Sequence, residues 1–415
     1  MKKNTKGEYL YLSTLIPDEE FNKVLIMDQS PQMATHIFNW KVYKGIKSSN
    51  LIDYNFYVIS TRPITEYPRN SSKIVKAKKW ETPYDDLHEL FFINYSVIKT
   101  ITIFISCSFQ CFKWCLFSYN KLKKGVFIDT YQLPYLVCGY LISRIFKVPL
   151  IGLLTDPPNM NYKISWESSF KKQFRRMNGI LSIYLIKKFT GVIALTQHLA
   201  NNYCPGKKHL IIEAISEPYD NKNDLLKSKK FVVMYSGSLL KVYGIIELIK
   251  AFMKLLYTDI ELWIFGKGDA EKEIIDFAKN DYRIRYFGFL ENSKILNYQS
   301  IATLLINPRP TNLPDSKYSF PSKILEYMQS GTPTLLTRLP GIPDEYGEYV
   351  FFTEGYDEYN IAKSINNIYK MDRNELICFG QKAKSFVQSK NIRNQGNRMA
   401  KFIIDITENF QNDYH

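Results

Sequence analysis

The sequence predicts an α/β protein of two doubly wound, Rossmann-like domains facing across a cleft. Three observations predict it. Short apolar runs rich in β-branched and aromatic residues alternate with helical patterns in both halves of the chain. The length, 415 residues, suits two domains at roughly 100–200 residues each. Between 214 and 230 the texture turns polar, through Glu217-Pro-Tyr-Asp-Asn-Lys-Asn-Asp224 and Lys227-Ser-Lys-Lys230, with no periodic apolar face, as expected of an interdomain linker. The domains are therefore placed at 1–218 and 219–415, with the last helical pattern, 393–409, a candidate to cross back to the first.

In the first half, 24–27 reads as the opening strand. The turn Asp28 to His36 then leads into an amphipathic helix, and further strands are expected at 54–59, 90–93, 125–129, 149–154 and 191–195. In the second half strands are expected at 231–235, 261–265, 284–287, 302–306, 333–337 and 350–353. Helices fall at 244–257, 270–279, 321–329, 359–369, 375–389 and 393–409. Sheets of this kind take ligands beyond the carboxyl ends of their strands, so the cleft is the expected site.

Composition narrows the class. With 45% apolar, 15% aromatic and 23% charged residues, the chain has no support for disorder. Six cysteines are too sparse for a disulfide framework and indicate a reducing compartment. Cys107, Cys111 and Cys115 recur every four residues along one helix face. With no fourth Cys or His nearby they read as a buried seam, and no metal is expected. The polar start, residues 1–10, does not resemble a signal peptide. The most apolar stretches, 101–112 and 126–154, are too short or are interrupted by Asp129, Arg144 and Lys147, so no transmembrane helix is expected.

The net charge of +15 is unevenly placed. Residues 1–220 hold 29 Lys+Arg against 17 Asp+Glu, and 221–415 hold 26 against 23, so the first part carries +12 and the second +3. An anionic partner would meet the first part. Its cations gather at Lys73, Lys76, Lys78 and Lys79 beside Trp80, and along Phe170 to Phe189. In the latter run Phe174, Met177, Ile180, Leu181 and Tyr184 share a helical face between Lys171, Lys172, Arg175 and Arg176 at one end and Lys187 and Lys188 at the other. Two readings stay open, a helix lying on an anionic membrane and a core helix with a solvated basic face. No zinc-finger spacing, recognition helix or aromatic RNA-binding motif accompanies the charge, so nucleic acid is not the expected partner.

Three segments carry candidate chemistry. In Phe231-Val-Val-Met-Tyr-Ser-Gly-Ser-Leu-Leu-Lys-Val-Tyr-Gly244 a buried strand breaks at Gly237 just before a helix, a turn that can bring amides to a phosphate. In Leu262-Trp-Ile-Phe-Gly-Lys-Gly-Asp269 the glycines flanking Lys267 permit close approach, while the spaced glycines of a dehydrogenase fingerprint are missing. In Leu305-Ile-Asn-Pro-Arg-Pro310 and Ser319-Phe-Pro-Ser-Lys-Ile-Leu-Glu-Tyr-Met-Gln-Ser-Gly-Thr-Pro333, Pro321 suits a first helical turn, Ser319 or Ser322 suits a cap, and Gly331 ends the helix. Lys323 and Glu326 then share a face. Arg309 and Lys323 together can neutralise a diphosphate while Glu326 accepts hydrogen bonds from ribose hydroxyls; a surface ion pair is the plain alternative.

These motifs, with Tyr286-Phe-Gly-Phe-Leu290, make residues 231–340 resemble the sugar-nucleotide-binding domain of GT-B glycosyltransferases of family 4. The first half resembles that family in layout and in Leu154-Thr-Asp-Pro-Pro158. The resemblance implies a retaining, metal-independent enzyme that uses no cofactor besides its nucleoside diphosphate sugar co-substrate. The first domain would hold the acceptor and the second the donor. The donor-binding candidates are Gly237, Ser238, Lys241, Gly266, Arg309, Ser322, Lys323, Ile324 and Glu326, and Glu326 is also a catalytic candidate. In the first domain three places are candidates to meet the acceptor, the loop Pro31 to His36, Asp129 to Gln132, and Asp156. His36 reads as a general base or an ordinary packed residue, and Asp156, before two prolines, as orienting an acceptor hydroxyl or capping a turn. The family usually has a second glutamate where Tyr318 stands, and an Arg and a Lys where Ser238 and Tyr243 stand. Those departures leave the donor phosphates to Arg309 and Lys323, supplemented by Lys241.

The expected protein is a cytoplasmic transferase, peripheral at the inner face of the cell membrane. It would extend a surface or capsular polysaccharide on a glycan or polyprenyl-diphosphate-linked acceptor. The alternative is a non-catalytic sugar-nucleotide-binding subunit that stabilises a partner transferase. The donor's base and sugar, the linkage formed and the oligomeric state stay open.

Overall fold

The computed structural model describes residues 7–117, 122–158, 169–217, 227–313 and 316–412. The chain forms two compact units, one of Met1–Ile215 with Ile392–His415 and one of Ser216–Asn391. The boundary expected at 218/219 lies outside the described residues, as do residues 1–6 of the polar start and most of the expected linker.

The first unit runs β1 (Glu8–Ser13), α1 (Asp18–Met27), α2 (Met33–Ser48), β2 (Asn55–Ser60), β3 (Ile74–Val75), β4 (Lys78–Trp80), β5 (Leu87–Glu89), β6 (Phe92–Ile93) and α3 (Ser96–Phe117). It continues with β7 (Lys123–Ile128), α4 (Leu133–Phe146), β8 (Leu150–Leu154), α5 (Ser169–Ile186), β9 (Gly191–Ala194), α6 (Gln197–Tyr203) and β10 (Lys208–Ile211). Its eight-stranded sheet has the order β10-β9-β8-β7-β1-β2-β5-β4. Pairing is parallel except where the edge strand β4 runs antiparallel to β5. β3 and β6 make a small antiparallel pair of their own.

The opening of this unit corrects the sequence reading. The first strand is β1, between β2 and β7, and the run 24–27 is the last turn of α1. A four-residue apolar run does not distinguish strand from helix. In α1 the buried residues are Phe21 and Val24, three apart on one face, while Ile26 and Met27 are exposed. Asp18, Glu19 and Glu20 in the first turn favour the positive end of the helix dipole. β1 was hidden because a strand covered on both faces loses the alternation that marks a half-buried one; all six of its residues, Glu8 included, are buried.

The second unit runs β11 (Phe231–Ser236), a 3-10 turn at Lys241–Tyr243, α7 (Ile245–Met253), β12 (Ile260–Phe265), α8 (Glu271–Asn280), β13 (Ile284–Tyr286), α9 (Asn292–Ile301) and β14 (Leu304–Asn307). It closes with α10 (Lys323–Gln329), β15 (Thr334–Thr337), β16 (Phe351–Thr353), α11 (Glu358–Tyr369) and α12 (Arg373–Ser389). The sheet is parallel throughout, in the order β13-β12-β11-β14-β15-β16. Strand order reverses between β11 and β14, and it is at such a point that a doubly wound sheet opens a crevice at its carboxyl edge.

α13 (Ile392–Asn412) belongs to the first unit. It lies on α2, and Met399, Ile403 and Ile406 join the core built on Tyr9, Tyr11 and Tyr43. The contact is backbone-close: a Cβ at Gly396 would stand 2.1 Å from the carbonyl oxygen of Gly45. α3 and α4 also pack together, and Cys107 and Cys111 meet Cys138 there, their three sulfurs within 4.8 Å of one another. The seam is thus completed by Cys138 of α4, whereas Cys115 is only partly buried.

Candidate functional site

In the second unit the switch point brings the end of β11 beside the end of β14. Two loops interlock above it. The Gly237 amide donates to the Phe265 carbonyl (3.1 Å), the Leu239 amide to Lys267 (2.9 Å) and the Gly266 amide to Gly288 (2.9 Å). Gly266 has φ +136°, and a Cβ there would lie 1.8 Å from the Gly237 oxygen. These glycines therefore allow one backbone to lie against another, and the Gly237 amide expected to meet a phosphate is already committed to β12.

A polar network fixes the β11 side of the crevice. The Tyr327 hydroxyl accepts from the Ser236 amide (3.0 Å) and donates to the Ser236 carbonyl (2.9 Å). Burial pushes that phenol up to about 12, so it remains a donor. Gln299 of α9, fully buried, donates through Nε2 to Ser236 Oγ (3.1 Å) and to Glu326 Oε1 (2.7 Å). Lys323 Nζ donates to both oxygens of Glu326, at 2.9 and 3.1 Å. The expected pairing on one helix face is present, and a buried amide holds the carboxylate from behind, which a plain surface ion pair lacks.

Arg309 follows β14. Its guanidinium lies over the Tyr243 ring, 5.0 Å from the centroid, and its Nε is buried with no hydrogen-bond acceptor among the described residues. A buried donor of this kind costs about 1–3 kcal/mol unless a ligand supplies an acceptor. Gln299 Oε1, Ser319 Oγ and Glu247 Oε2 are also buried without partners. Among the described residues no hydrogen bond or ion pair joins Arg309 to Lys323 or Glu326.

The remaining donor-side expectations divide. Lys241 is already engaged: its amide donates to Asp269 Oδ1 (2.8 Å) and its ammonium pairs with Glu273 of α8. Ser238 is exposed, and its carbonyl accepts from the Tyr235 hydroxyl (2.8 Å). Ser322 stands at the start of α10 without a side-chain capping bond, and Ile324 is buried. Gln299 was not legible in the sequence, because nothing local links a glutamine on α9 to a glutamate on α10. Tyr327 sits inside the quoted motif, where its apolar ring reads as core.

In the first unit, His36 lies in α2 and not in the loop before it. Its ring is buried, stacked on Phe21 (3.8 Å between centroids), with Nε2 3.3 Å from Asp18 Oδ1. A general base needs a nitrogen within reach of the acceptor hydroxyl, and this imidazole presents none to open ground, so the catalytic expectation for it is corrected to a packing role. Burial lowers its pKa. A base kept neutral in the fold contributes stability above its unfolded value near 6.5 that is lost as pH falls below it. His36→Phe should accordingly remove this contribution, so that on going from pH 7 to pH 5 the variant's stability, measured by urea unfolding, changes more favourably than that of the wild type, with turnover unchanged.

Asp156 lies just beyond β8 and is exposed, with its amide 3.3 Å from the Tyr131 hydroxyl, which also accepts from Thr155 (2.6 Å). Desolvation raises its carboxyl, against a lowering bond from Thr155. Asp129, just past β7, stands where strand order reverses in this sheet. It is buried, and Oδ2 accepts from Ser13 (2.7 Å) and Tyr11 (2.9 Å).

Residues 217–386 match the family described as Glycosyl transferases group 1. The fold is similar to that of sucrose-phosphate synthase from Thermosynechococcus elongatus, 13% identical, with a TM-score of 0.60 over 96% of this chain and 99% of that one. It is also similar to Anabaena Alr3699/HepE in complex with UDP, 15% identical, TM-score 0.58, covering 96% and 100%. A third similar structure is the α,α-trehalose 6-phosphate synthase of Burkholderia multivorans, 8% identical, TM-score 0.61, covering 99% and 98%. At these identities the likeness is one of fold. No curated protein matches the sequence.

Proposed function

We propose that this chain, a GT-B glycosyltransferase with a group 1 glycosyl transferase domain as its second unit, transfers a sugar with retention from a nucleoside diphosphate to a lipid-linked glycan. The product would belong to a surface or capsular polysaccharide, made at the inner face of the cell membrane. The observation that carries the donor reading is Arg309, a buried guanidinium Nε at the switch point with no acceptor of its own. A diphosphate oxygen supplies that acceptor. Structures of the Anabaena protein hold UDP and UDP-glucose, which supports the class of ligand.

The chemistry follows from charge. When the bond between the sugar's anomeric carbon and the diphosphate oxygen breaks, negative charge grows on the departing diphosphate, and fixed cations in a poorly solvated pocket stabilise it. Arg309 and Lys323 take that role, with no divalent ion required. Glu326, held by Gln299, accepts from the ribose hydroxyls, freeing Lys323 to turn toward phosphate. The departing phosphate oxygen takes the acceptor's proton as the acceptor attacks on the same face.

Titration calorimetry with a panel of UDP-, GDP- and dTDP-sugars tests this. Arg309→Ala, Lys323→Ala and Glu326→Ala should each weaken the binding donor about 10- to 100-fold, as expected for a charge-assisted hydrogen bond worth about 1.5–3 kcal/mol. Wild-type affinity in all three would remove the site. Transfer should continue unchanged in excess EDTA; loss of turnover on chelation would overturn the metal-free step. Donor binding without turnover on any acceptor would favour the non-catalytic binding subunit.

A further inference from the structure

The long helices on one flank of the first unit are apolar on the outside. On α3 the exposed positions Ile98, Ile101, Ile105, Phe109, Phe112 and Leu116 recur at intervals of three and four, a continuous outer stripe. Opposite them Ile103, Cys107, Cys111 and Trp114 are buried. α3 packs on α4 and α4 on α5, where Ile145, Ile180 and Tyr184 extend the apolar ground, each more than half exposed. Isolated exposed side chains need no explanation, but a contiguous plateau on three helices does.

The charge carried by these three helices has one sign. None of α3, α4 and α5 contains an Asp or Glu. Lys171, Lys172 and Arg176 are exposed at the start of α5. Where α4 and α5 end, a cavity of about 380 Å³ is lined by Arg144, Lys147, Lys188, Lys207, Tyr140 and Phe410 among others, and by no carboxylate. Lys147, Lys188 and Lys207 have no carboxylate partner among the described residues. The cavity borders the plateau, for Arg144 precedes the exposed Ile145, and Lys188 Nζ lies 4.8 Å from the ring centre of Tyr184. No helix among the described residues is long and apolar enough to cross a membrane. An apolar face rimmed by cations is suited to lying in the interface of an anionic bilayer.

We propose that the first unit docks on an anionic phospholipid bilayer by sinking the outer face of α3, with the ends of α4 and α5, into the headgroup region, while the Arg144–Lys147–Lys188–Lys207 cavity receives a lipid phosphate. This deepens the membrane-side reading of the acceptor given above. It is read without donor or acceptor, so the two stand or fall separately.

Co-sedimentation of the full chain with vesicles of phosphatidylcholine, alone or with about a third phosphatidylglycerol, tests it. The wild type should bind only the anionic vesicles. A variant combining Ile105→Ser, Phe109→Ser and Phe112→Ser, all at exposed positions, should lose that binding while keeping its thermal unfolding and donor affinity. A variant combining Lys147→Gln, Lys188→Gln and Lys207→Gln should bind about 100-fold more weakly, at about fivefold per cation near the surface. Lys272→Gln with Lys294→Gln and Lys382→Gln removes the same charge from the second unit and should bind as wild type. Equal losses in the two lysine triples would overturn the cavity, leaving only net charge. Wild-type binding by the serine variant, or binding to neutral vesicles alone, would overturn the docking face.

Discussion

Gly266→Ala is expected to destabilise the second unit by at least about 3 kcal/mol and to abolish most donor affinity. The position has φ +136°, a backbone conformation that side chains other than glycine avoid at a cost of about 1–3 kcal/mol. The added methyl would also stand 1.8 Å from the Gly237 oxygen, so one of the two interlocked loops must move. Displacing Gly237 disturbs Ser236, and through Ser236 the Tyr327–Gln299–Glu326 network. Gly288→Ala is the control, since φ there is +69° with nothing within 4 Å of the new carbon; it should cost only about 1 kcal/mol. Urea unfolding and calorimetry with the binding donor separate the two variants, and equal stabilities would contradict the interlocked-loop account.

Asp129 gives the second large effect, one of pH. Burial pushes its carboxyl from an ordinary 3.8 up to about 7, against opposing hydrogen bonds from Ser13 and Tyr11. The native state therefore holds this proton where the unfolded chain has released it. By linkage, the contribution is most favourable below the unfolded value and declines as pH rises toward about 7. Between pH 5 and pH 8 it amounts to about 2–3 kcal/mol lost. Asp129→Asn should remove that part of the slope, seen as unfolding curves for the variant that shift less between the two pH values than those of the wild type. A wild-type slope retained in the variant would mean that the carboxylate is accommodated in its charged form.

Much of the fold was legible locally. In the second half each strand ends near a glycine or proline and most helices have a distinct apolar face, so the series from β11 to α12 could be read from periodicity except for α9, which was missed because two of its three buried residues, Gln299 and Ser300, are polar. The Lys323–Glu326 pair was legible for the same reason, because three residues along a helix fix a shared face whatever else is present. β1 was not, since a strand buried on both sides carries no alternation, and the run 24–27 imitated it. Gln299 and Cys138 were invisible for another reason: their partners lie on other elements, and only packing brings Gln299 to Glu326 and Cys138 to Cys107.

The sequence by itself determined the alternation of strand and helix, the concentration of positive charge in the first part, and the motif that carries Arg309, Lys323 and Glu326. Only the tertiary structure decided which charges are already occupied. Lys241 is held by Glu273, whereas Arg309 keeps a buried donor without an acceptor. It also decided that His36 faces Phe21 while Phe104, Phe109 and Phe112 of α3 face outward. The physical reason is that periodicity is a property of neighbouring residues, whereas burial and pairing depend on groups remote in the chain, which only the folded packing brings within a few ångströms.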